Sequence, residues 1–124
     1  MKINIKYPIE KWVTPESQFI ETKGHRYSIL ECIRASKDEE SFDLPIKGMN
    51  IDYPSLSANS LCSDIAHIAA VLEADLKYPI ILAPTGEIMD GRHRVAKAIL
   101  KGDETIKAVQ LSKWPEGERI SDEA

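Results

Sequence analysis

The stretch from Pro79 to Leu111, "PIILAPTGEIMDGRHRVAKAILKGDETIKAVQL", restricts the fold more than any other part of the chain. Residues 80–83, "IILA", are short, uncharged and apolar, which suits a buried strand. "PTGE" is a turn signal, because Pro and Gly preset the torsions a reversal needs. "IM" resumes extended chain until Asp90-Gly91 ends it. "RHRVAKAILK" predicts a helix that buries Val95, Ala98 and Ile99, and Gly102 suits a left-handed stop. "TIKAVQL" at 105–111 alternates and predicts a last strand. Strands 80–83 and 105–111 therefore flank a helix of about ten residues, an arrangement compatible with a crossover unit. The predicted class is α/β, a small mixed sheet packed with helices around one core.

The rest of the chain is less constrained. "KINIK" at 2–6 alternates and predicts an edge strand. Thr14-Pro15 offers an N-cap and a first helical residue for a short helix over 15–21, broken by Lys23-Gly24. Residues 26–37, "RYSILECIRASK", fit helix or strand, and the helical reading is preferred. Residues 38–60 read as loop with an extended piece at Leu44–Ile46, and Lys37–Glu40 as solvated. "LCSDIAHIAAVLEADLK" is the clearest helix, with Ile65, Ile68, Ala69, Leu72 and Leu76 on one face. Asp64 complements its dipole, and Asn59 or Ser60 is placed to cap it. Residues 1–111 form one domain in this reading, and the polar acidic tail 112–124 frays.

Composition excludes several classes. At 124 residues the chain is long enough for one core without staples. Its net charge of −4 disfavours a protein whose main work is gripping nucleic acid by its phosphates. Cys32 and Cys62 stand in no ligand-like spacing, so the expected setting is a reducing cytoplasm. No hydrophobic signal segment is visible at the N-terminus, and no apolar run is long enough for a membrane span.

The junction at 90–94, "DGRHR", carries the chemistry. A helix N-terminus has a partial positive charge and unpaired N–H groups, so acids are its usual occupants. Here the chain places Arg92, His93 and Arg94. Each cation costs about 0.3–1 kcal/mol at such a position by the usual dipole figures, and a bound anion reverses that sign. Gly91 lets backbone approach a ligand, the first-turn N–H groups form an anion site, and the guanidinium forks suit phosphate oxygens. The competing reading is that the long side chains swing into solvent or pair with Glu87 or Asp90. Asp90 itself reads equally as a turn or capping residue. Elsewhere, His67 is expected at a helix edge or core rim, and His25 in a loop. Trp12 and Trp114 are expected to serve packing, and Glu31 is a general-base candidate without a placed cleft.

Residues 78–111 resemble the shared core of the ParB N-terminal domain and sulfiredoxin superfamily. A Pro-Ile-like strand, a Gly turn and a Gly-x-[His/Arg]-Arg box opening a helix carry the likeness, with "DLPI" at 43–46 as its entry strand. The likeness spans 43–111; residues 1–42 are atypical. It implies that Gly91, His93 and Arg94 hold nucleotide phosphates, with ATP, ADP or CTP and Mg²⁺ as the ligands. Arg92 stands where sulfiredoxins carry their catalytic Cys, so sulfinic acid reduction is not expected. It also replaces the Glu usual in ParB boxes. "DGRHR" is most similar to the related free-serine kinases, which implies phosphotransfer to a small hydroxyl acceptor. There Asp90 would hold Mg²⁺ or orient the hydroxyl, with His93 as a second catalytic candidate. Two alternatives stand beside this: a DNA-linked partition or regulatory module, and a non-catalytic interaction domain that keeps the box.

Overall fold

The computed structural model describes residues 19–22, 24–49, 51 and 61–120. Within them the chain is a small mixed α/β domain of two sheets and three α-helices. The elements are β1 (Phe19–Thr22), β2 (His25–Ser28), α1 (Ile29–Ser36), β3 (Phe42–Pro45), a 3₁₀ turn (Ile46–Gly48) and α2 (Leu61–Glu73). They continue with β4 (Ile80–Leu82), β5 (Ile88–Asp90), α3 (Arg92–Lys101), β6 (Thr105–Gln110) and β7 (Glu118–Arg119).

The larger sheet has the order β3-β6-β4-β5. β4 and β5 form an antiparallel hairpin, whereas β4 runs parallel to β6 with Ile80 opposite Ala108 and Leu82 opposite Gln110. A parallel pair needs a crossover, and β5 with α3 supplies it, as the spacing predicts. Successive side chains of a strand point to opposite faces, so the "IILA" run serves two cores. Ile80, Leu82, Ile88, Ile106 and Ala108 pack with Val95 and Ala98 of α3 on one side. Ile81, Ala83, Met89, Val109 and Leu111 pack with Tyr27 and Cys32 on the other. Burial on both faces explains why β4 shows no polar alternation.

The pairing of β4 with β5 slips between Ile81 and Leu82: Leu82 faces Ile88, but Ile81 faces Asp90. Met89 is thus one extra residue on β5. A bulge of this kind bends and twists its strand and re-aims the residue that follows, here Asp90 at the mouth of α3.

Several expectations are corrected. Residues 19–21 belong to strand β1, not to a helix over 15–21. Gly24, at φ 78°, turns the chain so that β1 pairs antiparallel with β2. The helix expected over 26–37 begins only at Ile29, where Ser28 accepts the Glu31 amide and caps α1. Among the described side chains of α2, Ala66 and Ala69 are buried, while Ile65 and Ile68 are exposed. Its sequence is apolar around most of its circumference, so periodicity did not select a face. The alanines hold the inward positions, and α2 packs mainly against α3. α2 also stops at Glu73 rather than Lys77: the Asp75 side chain accepts the Lys77 amide at 3.0 Å, a local bond that competes with helix. Ile99, expected inside, is exposed.

The segment after Leu111 does not fray up to Ile120. Trp114 stacks on Tyr27 with ring centroids 5.4 Å apart, and β7 pairs with β2. The strand expected at 2–6, Trp12 and the caps Asn59 and Ser60 lie outside the described residues. No helix among the described residues is long and apolar enough to cross a membrane.

Candidate functional site

Helix α3 opens as the sequence predicts. Gly91 is its N-cap at φ 114°, in left-handed backbone, and no side chain caps the helix. The Val95 amide donates to the Gly91 carbonyl at 2.9 Å, the first bond of the helix. No acid lies in the first turn. Gly102 ends the helix at φ 82°, its amide reaching the Ala98 and Ile99 carbonyls.

What requires glycine at 91 is close packing within the protein. A Cβ there would lie 2.5 Å from Ile80 Cγ2 and 3.0 Å from Arg94 Nη2. The expected open approach to a ligand is therefore taken up on that side by β4 and by the neighbouring guanidinium.

The three cationic side chains of the box go different ways. Arg94 turns inward, and its Nη2 donates to Asp90 Oδ2 at 3.0 Å. Only 19% of the Arg94 side chain and 21% of the Asp90 side chain is exposed. This is the pairing weighed against phosphate in the sequence. It does not satisfy the whole fork, since Arg94 Nε is buried with no hydrogen-bond partner. An orphaned donor in a shielded guanidinium is costly, on the order of 1–3 kcal/mol.

His93 turns toward α2. Its Nε2 meets Nδ1 of His67 at 3.0 Å, with ring centroids 5.3 Å apart. Burial, first, and the neighbouring His67, second, hold the His93 imidazole below its ordinary value of 6.5; Asp90 opposes this and Arg94 adds to it. Arg92 is exposed. It lines an apolar groove of about 330 Å³ together with Ile88, Val95, Ala96 and Ile99.

The other candidates fall elsewhere. Glu31 forms an ion pair with Arg34 at 2.6 Å on the surface of α1. His25 lies in β2, with its ring 6.0 Å from Tyr27, rather than in a loop. Glu87 accepts from the Thr85 hydroxyl across the β4–β5 turn and from Thr22 at 3.5 Å. Among the described residues no group of three or more His, Cys, Asp or Glu is placed to hold a metal.

His67 is the residue whose role sequence reasoning missed. Its place at the rim of the core was legible; its partner, 26 positions away, was not, because only the crossing of α2 over α3 joins them. Cys32, with no exposed surface, lies under this region, and its thiol is pushed up to about 11 by burial and then by the Asp90 charge. The stability it contributes is fully present below the unfolded value of 9.0 and is lost as pH rises toward 11. At about pH 8 the folded thiol should alkylate roughly a hundredfold more slowly than in the unfolded chain. Peptide mass spectrometry after iodoacetamide treatment, resolving Cys32 from Cys62, checks this.

Comparisons with protein-family models, with curated proteins and with solved structures found nothing that matches this chain.

Proposed function

We propose that the start of α3 binds the phosphate groups of a nucleotide, in the manner of the ParB and sulfiredoxin-like proteins that residues 43–111 resemble. The observation that carries the reading is a helix N-terminus on left-handed Gly91, with no side-chain cap and no acid in its first turn, flanked by two arginines. Such an end attracts an anion through its N–H groups and dipole. The orphaned Nε of Arg94 supports the reading, because a phosphate oxygen would satisfy a donor that the protein leaves unmet. The apolar groove beside Arg92 is of the size of small-molecule sites, about 300–1,000 Å³, and favours a ligand with a flat apolar part over bare phosphate. ATP, ADP or CTP with Mg²⁺ are the ligands to try. Phosphotransfer to a small hydroxyl compound is the activity the box suggests, with Asp90 beside the transferred group.

A second reading is favoured by one contact. The Asp90 carboxylate is already bonded to Arg94, which suits a non-catalytic interaction domain that keeps the box as an internal clamp. Thermal denaturation with each nucleotide and Mg²⁺ separates the two. A ligand at about a hundred times its Kd stabilises by about 2.7 kcal/mol, and Arg92→Ala should abolish most of that shift while leaving the unliganded protein folded. A flat response to every nucleotide overturns the binding reading in favour of the second. Turnover assayed with free serine and other small hydroxyl compounds then tests phosphotransfer. A DNA-linked role, disfavoured by the acidic net charge, predicts gel retardation of DNA at low salt.

A further inference from the structure

We infer that His67 and His93 form a pH-sensitive clasp that holds α2 on α3 with one excess proton and releases it with two. The inference needs no bound nucleotide and stands apart from the proposed function.

The geometry sets the proton count. A contact of 3.0 Å between Nδ1 of His67 and Nε2 of His93 needs one N–H and one lone pair. Two neutral rings satisfy it. One imidazolium facing one neutral imidazole satisfies it more strongly, as a charge-assisted bond. Two imidazolium rings cannot, because N–H would face N–H and two positive charges would share a half-buried seam. The rings therefore titrate as a unit, and the second proton costs the contact.

The clasp matters because it is a polar tie between α2 and α3 near the middle of α2. The helix packs against α3, and Ala66 and Ala69, both small, are buried on it. A second polar tie among the described residues is Lys97, whose Nζ donates to the carbonyls of Leu72 at 3.1 Å and Ala74 at 2.6 Å, at the far end of the helix. The charged surroundings do not reverse the argument. Asp90 of β5 favours a proton on His93, while Arg94 of α3 and His67 of α2 oppose it. Asp64 lies one turn before His67 on α2 and is partly buried. Lys97 is committed to the carbonyls, and Arg92, Lys101 and Glu73 are exposed. Burial is the largest influence on His93 and lowers its proton affinity. A folded value below the unfolded 6.5 means that stability is fully present above that pH and declines as pH falls below it.

The test uses the full chain without ligand. Imidazole C–H resonances should show the two rings titrating in coupled steps, the second displaced well below the first. Amide exchange along α2, corrected for its intrinsic pH dependence, should accelerate about tenfold or more between about pH 7 and pH 5, while β4 and β6 stay protected. In His67→Gln the side-chain amide turns to accept from or donate to His93, so the acid acceleration should fall below about threefold. His93→Gln should do the same and replaces the first variant if that one does not fold. Two independent ordinary titrations overturn the inference. So does wild-type α2 without acid acceleration, or acceleration of equal size in the Gln variants.

Discussion

Gly91→Ala will lower stability by about 3 kcal/mol or more. Two costs add. Backbone at φ 114° is strained for any residue with a Cβ, and the new methyl would lie 2.5 Å from Ile80 Cγ2 and 2.8 Å from Ile80 Cβ. Ile80 cannot yield, since it has no exposed surface and lies in an interior strand of the larger sheet. The relevant comparison is Gly102→Ala, at φ 82° with open space where its Cβ would go. That variant should lose only about 1 kcal/mol, the left-handed penalty alone. Melting temperatures of the two variants read the difference, which at this chain length corresponds to roughly 8 °C or more. Equal losses would mean that the packing of α3's first residue against β4 is not what demands glycine.

The second large effect concerns the Arg94–Asp90 pair. Arg94→Met removes the countercharge of a carboxylate that is only 21% exposed. Breaking a buried pair costs about 3–5 kcal/mol, and partial exposure brings the expected loss to about 2 kcal/mol. Adding Asp90→Asn should restore most of it, since the stranded charge is gone and the methionine fills the guanidinium's space. Ligand response should not return, because the orphaned Nε donor and the second cation of the box are absent from both variants. Urea denaturation of the wild type, the two single variants and the double variant completes the cycle. An additive cycle, with no recovery in the double variant, would show that the pair does not stabilise the mouth of α3. A double variant that regains full nucleotide response would remove Arg94 from the binding site.

The parts of the fold that were legible in the sequence are those governed by local rules. Arg92–Lys101 forms a helix between two left-handed glycines, and both glycines and the run between them are visible as letters. The parallel partnership of β4 and β6 followed from strand, helix and strand in sequence, because a parallel neighbour needs a connection of that kind. What misled were choices made by tertiary packing. α2 is apolar on most sides, so Ile65 and Ile68 looked like core, yet Ala66 and Ala69 are the ones buried. The tail reads as polar, yet Trp114 docks on Tyr27, and Gly117 passes close enough over that ring to exclude a Cβ.

The candidate site divides the same way. That Gly91, Arg92, His93 and Arg94 crowd one helix end was readable from spacing alone, and so was Asp90 as a rival partner for the arginines. The bulge at Met89 that re-aims Asp90, and the delivery of His67 from another helix, depend on register and on helix crossing. A sequence encodes those only through contacts between distant residues.

The central claim, an anion seated on the first turn of α3, is met most directly by titrating the ¹⁵N-labelled chain with ATP and, in parallel, with tripolyphosphate. Binding there predicts the largest shifts at the amides of Arg92, His93 and Arg94, together with a shift of the Arg94 Nε–H signal as its missing partner arrives. Both ligands should share this footprint, and ATP should add shifts along Val95, Ala96 and Ile99. Shifts centred on any other element, or none at either ligand's saturating concentration, would contradict the account.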